Sequence, residues 1–170
     1  MLSEIVERSS NLDLEEFVEK YLFTPLGIDH FVWKKMKSGD FAAASGLRLC
    51  SRDLMKFGML YRNKGVWNNH QLISSRWVEA SFVQRIAFPS KAVDASDYYG
   101  YQFWIWPDTI KGNQLKMISA IGNGGQLINW NPENDIIIVI TAGNYNEWIP
   151  GKDSYALARN EIYPVLLSSD

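Results

Sequence analysis

Gln126-Leu127-Ile128-Asn129-Trp130-Asn131-Pro132-Glu133-Asn134-Asp135-Ile136-Ile137-Ile138-Val139-Ile140-Thr141 is the stretch from which the fold can be read. Two runs rich in β-branched and aromatic residues flank Asn131 to Asp135, a segment of turn formers. The spacing predicts two strands, Gln126 to Trp130 and Ile136 to Thr141, joined by that turn and paired antiparallel. Ile136 to Ile140 carries no polar alternation. A strand wet on one side would alternate, so this one is expected to be a central strand covered on both faces, with layers of helix flanking the sheet.

Working upstream, Met117 to Ile121 supplies a third strand, and the rings of Tyr98-Tyr99-Gly100-Tyr101-Gln102-Phe103-Trp104-Ile105-Trp106 a fourth. Trp104 and Trp106 are assigned to the core, with one of them a candidate to line a cleft. Downstream, Ser154 to Leu167 reads as a closing helix with Ala156, Leu157, Ile162 and Leu166 apolar and Pro164 placed to kink or end it.

The pattern before Tyr98 is helical. Asp13 is placed to cap a helix from about Asp13 to Phe23, Glu16 to complete a capping box and Leu12 to staple onto Phe17. Pro25 and Gly27 are expected to stop it, leaving Thr24 to His30 as a connection. Ser51 is a second cap candidate, opening a helix with Leu54, Phe57 and Tyr61 on one face and Gly65 at its end. Gly58 lies inside that helix, where glycine costs about 1 kcal/mol against alanine, so close packing against another element is expected there. Val66 to Ile73 reads as a short turn between apolar residues. A helix follows near Ser75 to Gln84, packed through Trp77, Val78 and Phe82, and Ala87 to Asp97 reads as loop. Residues 1–97 are thus mainly helical and 98–170 mainly strands plus a final helix, an α+β order within one domain.

Composition narrows the function. The 170 residues carry 17 basic and 19 acidic side chains, a formal charge of −2, so no basic field exists to attract nucleic acid. The longest apolar run, Ile136 to Ile140, is too short to span a bilayer as a helix. Met1 to Arg8 is amphipathic and acidic, lacks the basic start and apolar core of a signal peptide, and reads like the interior of a longer protein. Cys50, the single cysteine, excludes an internal disulfide and is expected to be a buried, inert thiol. With His30 and His70 the only histidines, a zinc site is short of its usual ligands, and neither a metal nor an organic cofactor is expected.

Four stretches, in this order and spacing, carry a family resemblance: Phe23-Thr24-Pro25-Leu26-Gly27-Ile28, the run Ala44 to Gly58 around Ser45-Gly46-Leu47 and Ser51-Arg52-Asp53-Leu54, Tyr99-Gly100-Tyr101-Gln102-Phe103-Trp104-Ile105, and Gly122-Asn123-Gly124-Gly125-Gln126. Together they resemble class C β-lactamases and the related esterases, amidases and D-amino-acid peptidases, over nearly the whole chain. The resemblance implies the C-terminal portion of an antiparallel sheet flanked by helices, the β-lactamase/transpeptidase-like fold. It also implies three motifs around one cleft. These are Ser-x-x-Lys with the nucleophile, Tyr-x-Asn with a tyrosine in proton transfer, and Lys-Thr-Gly or His-x-Gly on a strand. A serine hydroxyl needs a neighbouring base, and the tetrahedral intermediate needs donors for its oxyanion.

No serine among the 170 residues has lysine three positions on. The expectation is that the nucleophile segment is absent and that this chain alone does not form an acyl-enzyme, while its parent hydrolyses a small-molecule ester or amide. Tyr61-Arg62-Asn63 fits the letters of Tyr-x-Asn but sits where the family has scaffold. The third motif is Gly122 to Gln126. By resemblance the backbone N–H of Gln126 is an oxyanion donor, Gly125 lets substrate approach the backbone, and Asn123 holds the position of the family's lysine or histidine. An amide offers only neutral hydrogen bonds there, which weakens the case for a penicillin or cephalosporin and leaves esters, simple amides or an inactive relative open. The alternative is a binding or interaction module that kept the scaffold. Exposed sheet surface left by missing strands is expected to favour self-association. Family members often act outside the cytoplasm, and the sequence itself is silent on compartment. A Ser-His-Asp triad has no support, since His30 lies in a loop and His70 in the polar turn Asn68-Asn69-His70.

Overall fold

The computed structural model describes residues 2–88, 97–146 and 154–168. Helix α1 (Leu2–Ser10) leads into α2 (Leu14–Val18), where Asp13 Oδ1 accepts the Glu16 N–H at 2.8 Å. The expected stop at Pro25 does not occur. The helix passes through a π-turn, Glu19–Phe23, into α3 (Thr24–Leu26), so Thr24 to Leu26 are helical. Proline lacks an N–H and crowds the carbonyl four residues back. Here the backbone bond just before Pro25, Thr24 N–H to Glu19 O, already reaches back five residues, and the widened turn takes the ring. Gly27 then ends the helix at φ +63°, with Gly27 N–H to Thr24 O at 3.0 Å and Ile28 N–H to Phe23 O at 2.9 Å, the paired bonds of a Schellman motif.

The short ladder β1 (Val32–Trp33) and β2 (Leu47–Arg48) precedes α4 (Ser51–Arg62). Its N-cap is Cys50, not Ser51. Cys50 has the extended dihedrals of a cap, while Ser51, one residue inside, sets its hydroxyl 3.1 Å from Thr141 Oγ1. The Cys50 thiol is exposed rather than buried and donates to Asp53 Oδ2 at 3.1 Å. The Lys56 ammonium, 2.7 Å from Asp53 Oδ1, holds that carboxyl below its ordinary range against the opposing effect of burial. The expectation for Gly58 is met in full. A Cβ there would lie 2.9 Å from Ile137 Cγ2 and 3.2 Å from Ile128 Cγ2, so the helix rests directly on two sheet residues.

Helix α4 closes with Lys64 and Gly65 both at positive φ, 53° and 83°. Strands β3 (Val66–Trp67) and β4 (His70–Gln71) form a hairpin whose central residues, Asn68 and Asn69, also take positive φ. Helix α5 (Ser75–Ser81) is capped by Ser74 and ends three residues before the expected Gln84, because the chain turns back at Phe82 to enter the sheet. Strand β5 (Ile86–Phe88) pairs with β6 (Asp97–Tyr99), so Ala87, Phe88 and Asp97 are strand rather than loop. The rest of that expected loop, residues 89–96, lies outside the described residues.

The single strand expected over Tyr98 to Trp106 is two strands. Between β6 and β7 (Trp104–Ile110) the chain reverses at Gly100 to Phe103, with Gly100 N–H to Phe103 O at 2.9 Å and Gln102 at φ +66°. Gly100 runs against the end of α5, where a Cβ would stand 2.2 Å from Ser81 O. Aromatic strand propensity is blind to that approach. Strands β8 (Asn113–Ile121), β9 (Leu127–Asn131) and β10 (Ile136–Ile140) complete an antiparallel sheet of order β10-β9-β8-β7-β6-β5. Among the described residues β10 is therefore an edge strand and not a central one. Both its faces are nonetheless covered: Ile137 packs under Gly58 of α4, while Ile136, Ile138 and Ile140 pack with the closing helix. Coverage of two faces fixes apolar content on both sides of a strand without fixing its place in the sheet.

The closing helix, α6 (Ser154–Leu157), also passes through a π-turn, Ala158–Ile162, into α7 (Tyr163–Leu166), so the helix continues past Pro164. It is fastened by two polar networks. Asp108 on β7 accepts from the Tyr155 hydroxyl at 2.6 Å and from Arg159 Nε at 2.8 Å, and Trp106 Nε1 donates to the Tyr155 oxygen at 3.1 Å. Deeper in, the Tyr163 hydroxyl donates to Asn129 Oδ1, and Asn129 Nδ2 donates to Ser119 Oγ at 2.7 Å, all three side chains being fully buried. One core cluster, with Met117, Leu127 and Ile138, lies between sheet and closing helix. The other, with Phe23, Leu26, Ile28 and Leu60, lies among the N-terminal helices. The α+β arrangement is thus an antiparallel sheet flanked by helices.

Candidate active site

The loop Gly122 to Gln126 connects β8 to β9. Gly122 N–H donates to Gln126 O at 2.9 Å and Gly125 N–H to Gly122 O at 3.1 Å, closing a tight reversal. Gly124 and Gly125 take φ of +118° and +86°, which residues with a Cβ rarely adopt. Neither could carry a side chain. A Cβ on Gly124 would meet the Tyr145 ring at 2.8 Å, and one on Gly125 would meet Ser154 Oγ at 2.9 Å.

Because β10 pairs with β9 through Ile140 and Leu127, the segment after β10 returns alongside this loop. Asn123 Nδ2 donates to Asn146 Oδ1 at 3.0 Å, and Asn123 Oδ1 accepts the Asn146 N–H at 3.2 Å. Asn144 N–H reaches Gly124 O at 3.0 Å. Gln126 Nε2 donates to Ala142 O at 2.7 Å and lies 3.3 Å from the Tyr145 hydroxyl. Ser154, opening α6, donates its hydroxyl to Gly125 O. The N–H of Gln126 finds no partner among the described residues. Asn123, Gly125 and Gln126 therefore share one loop, and of the polar groups expected to face a substrate, the Asn123 amide is turned onto Asn146 while the Gln126 N–H has no partner among the described residues.

A family model described as Beta-lactamase matches residues 1–159. The chain belongs to the beta-lactamase family. Three solved structures share its fold. A Bacillus anthracis protein described as a candidate 6-aminohexanoate-dimer hydrolase superposes with a TM-score of 0.75 at 22% identity, covering 98% of this chain and 41% of its own. The octameric penicillin-binding protein homologue of Pyrococcus abyssi gives 0.68 at 22% identity, covering 99% and 41%. A candidate beta-lactamase of Bacteroides dorei gives 0.67 at 14%, covering 98% and 55%. The chain thus spans from two-fifths to just over half of these proteins, and the likeness at such identities is one of fold. No curated protein matches it.

Within this beta-lactamase-family chain the other sequence candidates fall away from the loop. Tyr61 is half-buried in an aromatic cluster with Phe82 and Phe103, at centroid distances of 5.7 and 4.8 Å, and desolvation there pushes its phenol up. Arg62 pairs with Asp135, and Asn63 is the C-cap of α4. Asp135 precedes β10 and Ala142 follows it, so Tyr61-Arg62-Asn63 sits at the far end of that strand, about 16 Å away at the usual rise. His30 and His70 are exposed and lie in separate elements. Trp104 and Trp106, two residues apart on β7, share one face; Trp106 packs edge-on against Tyr155 and Trp104 against Tyr99. An open groove of about 550 Å³ lined by Tyr98, Pro107, Lys116 and Glu133 lies toward the opposite end of β8. Among the described residues no three His, Cys, Asp or Glu side chains converge on a metal-sized site, and no helix is long and apolar enough to cross a membrane.

Sequence reasoning missed Asn144, Tyr145 and Asn146. Their signal was available in the turn formers Gly143-Asn144 directly after a strand paired with β9, which must bring the chain back beside Gln126.

Proposed function

We propose that this chain contributes the third-motif side of an acyl-transfer cleft in a serine-dependent hydrolase acting on a neutral ester or amide, with the backbone N–H of Gln126 as oxyanion donor. The observation that carries this reading is that N–H, without a partner among the described residues and next to two glycines whose positive φ shapes the turn before it. The Bacillus anthracis neighbour, described as a candidate 6-aminohexanoate-dimer hydrolase, is in keeping with hydrolysis on this scaffold and carries no weight for the neutrality of the substrate.

The 170 residues hold no Ser-x-x-Lys, so by themselves they are expected to give no burst of p-nitrophenolate from p-nitrophenyl acetate and no adduct with a fluorophosphonate probe. A stoichiometric burst with an adduct on a serine would sink that expectation. The turn of the Asn123 amide onto Asn146 favours a second reading, a binding module on the same scaffold. The two separate on whether Ser-x-x-Lys and Tyr-x-Asn stand upstream in the same reading frame.

The free edge of β10 bears on association. Among the described residues this edge strand, made only of isoleucine and valine, presents unpaired backbone groups without the charge or proline that blunts such edges. Self-association through it is expected to raise the mass seen by light scattering as concentration rises, and Val139→Lys to suppress the rise. A monomer at all concentrations argues against it.

A further inference from the structure

We infer that Asn123 is a positioning residue rather than a substrate ligand, and that Tyr145, which it sets in place, is the specificity-determining residue of the cleft, selecting an uncharged substrate with an aromatic or alkyl group on that side. The inference rests on the proposed acyl-transfer reading of the Gly122 to Gln126 loop.

Both functional atoms of the Asn123 side chain are committed, Nδ2 to Asn146 Oδ1 and Oδ1 to the Asn146 N–H. Each atom keeps one further N–H or lone pair, but the amide cannot be turned toward a substrate without breaking the bonds that fix the neighbouring strap. Tyr145 lies between Asn144 and Asn146, each tied to the loop. Its ring covers Gly124 so closely that a Cβ there would be 2.8 Å from it, and yet the residue is 53% exposed. One side of the tyrosine is thus packed on the glycine whose loop carries the Gln126 N–H, and much of the remainder is open. Gln126 Nε2, near the Tyr145 hydroxyl, is held by Ala142 O.

Charge points the same way. Neither Gly122 to Gln126 nor Thr141 to Asn146 contains an acidic or basic residue. A carboxylate brought against this wall would lose hydration with no cation in either segment to meet it, whereas an apolar group would gain the tyrosine ring as a contact surface. The geometry therefore exchanges a charged recognition group for an aromatic one.

The test uses the 170-residue chain with amide-resolved NMR, and methyl phenylacetate and phenylacetate as probes. In Asn123→Ala, exchange of the Asn146 N–H is expected to quicken about fivefold to tenfold, as the loss of one or two ordinary hydrogen bonds gives, with the melting temperature little changed. Asn146→Ala, which removes the reciprocal acceptor, serves as a second opening of the strap. Methyl phenylacetate is expected to shift the amide signals of Gly124, Gly125 and Gln126, and phenylacetate to bind about tenfold more weakly, since about 1.4 kcal/mol separates tenfold affinities. Tyr145→Ala and Asn123→Ala should both weaken the ester about tenfold, and Tyr145→Phe should keep it within about threefold, the ring being the contact. Unchanged exchange of the backbone N–H at position 146 in both strap variants overturns the positioning role. Equal binding of the two probes, or ester binding indifferent to Tyr145→Ala, overturns the specificity role. If neither probe moves the loop amides, the acyl-transfer reading itself fails, and the exchange result still decides the role of Asn123 because it needs no ligand.

Discussion

Tyr163→Ala is expected to cost about 3 to 5 kcal/mol of folding stability, the range for removing a large ring from a close-packed interior. The residue is fully buried where α7 meets β9, and its hydroxyl is the donor to Asn129 Oδ1. Tyr163→Phe isolates the polar part. It leaves Asn129 Oδ1 buried without that donor and is expected to cost about 1 to 3 kcal/mol in urea unfolding. A loss below about 0.5 kcal/mol would mean that Asn129 rearranges or hydrates, and the network would not be what fastens the helix. The same tyrosine gives a pH dependence. Burial, reinforced by the negative charges of Glu133 and Asp108, pushes its phenol above the ordinary tyrosine value, and burial with the Asp108 bond pushes Tyr155 up as well. A folded-state value raised above that of the unfolded chain means the contribution is fully present below about pH 10 and is lost as pH climbs beyond it. Stability is therefore expected to fall on the alkaline side, and less steeply in Tyr163→Phe.

Gly65→Ala is expected to be as damaging, for a backbone reason. Gly65 sits at φ +83°, and a Cβ there would lie 1.8 Å from Ile73 O and 2.7 Å from the carbonyl carbon, main-chain atoms that cannot swing aside. Gly65 N–H also donates to Leu60 O, and Gly65 O accepts the Leu72 N–H, so the clash reaches both the end of α4 and the β3–β4 hairpin. A loss of about 3 to 5 kcal/mol is expected from strain at such a position. Its neighbour makes the control. Lys64 holds φ +53° with a Cβ, and Lys64→Gly relieves the left-handed penalty while loosening the unfolded chain, a net gain of about 0.5 to 1 kcal/mol. Thermal unfolding of the two variants should move in opposite directions, and a tolerated Gly65→Ala would show that the hairpin is free to shift.

Much of the fold was legible where one residue type has one cause. Gly58 inside a helix announced a close approach, and Ile137 and Ile128 provide it. The turn Asn131 to Asp135 announced the β9–β10 hairpin. What misled were signals with two causes. The rings of Tyr98 to Trp106 have strand propensity on both sides of a reversal that only the approach of Gly100 to Ser81 explains. The apolar run Ile136 to Ile140 reports coverage of two faces and is silent about which strands lie beside it. At the site, the glycines of residues 122–126 marked a loop that backbone conformation requires, so its place was readable. The partner of Asn123 was not, because Asn146 lies 23 residues on and meets it only through strand pairing.

The two π-turns also change which way their helices face. Each inserts one residue into the turn, rotating the next stretch of helix by about 100° of azimuth. Buried positions accordingly step by five across them, from Ala158 to Tyr163 in the closing helix, while Val18 packs into the same cluster as Phe23 five residues later. With the extra residue taken up in the turn, Tyr155 and Tyr163 stand close to two full turns apart, so one face of the closing helix meets Asp108 on β7 through Tyr155 and Arg159 and Asn129 on β9 through Tyr163. The closing helix is in this sense a screw with a change of thread, able to grip two strands of one sheet along a single crossing.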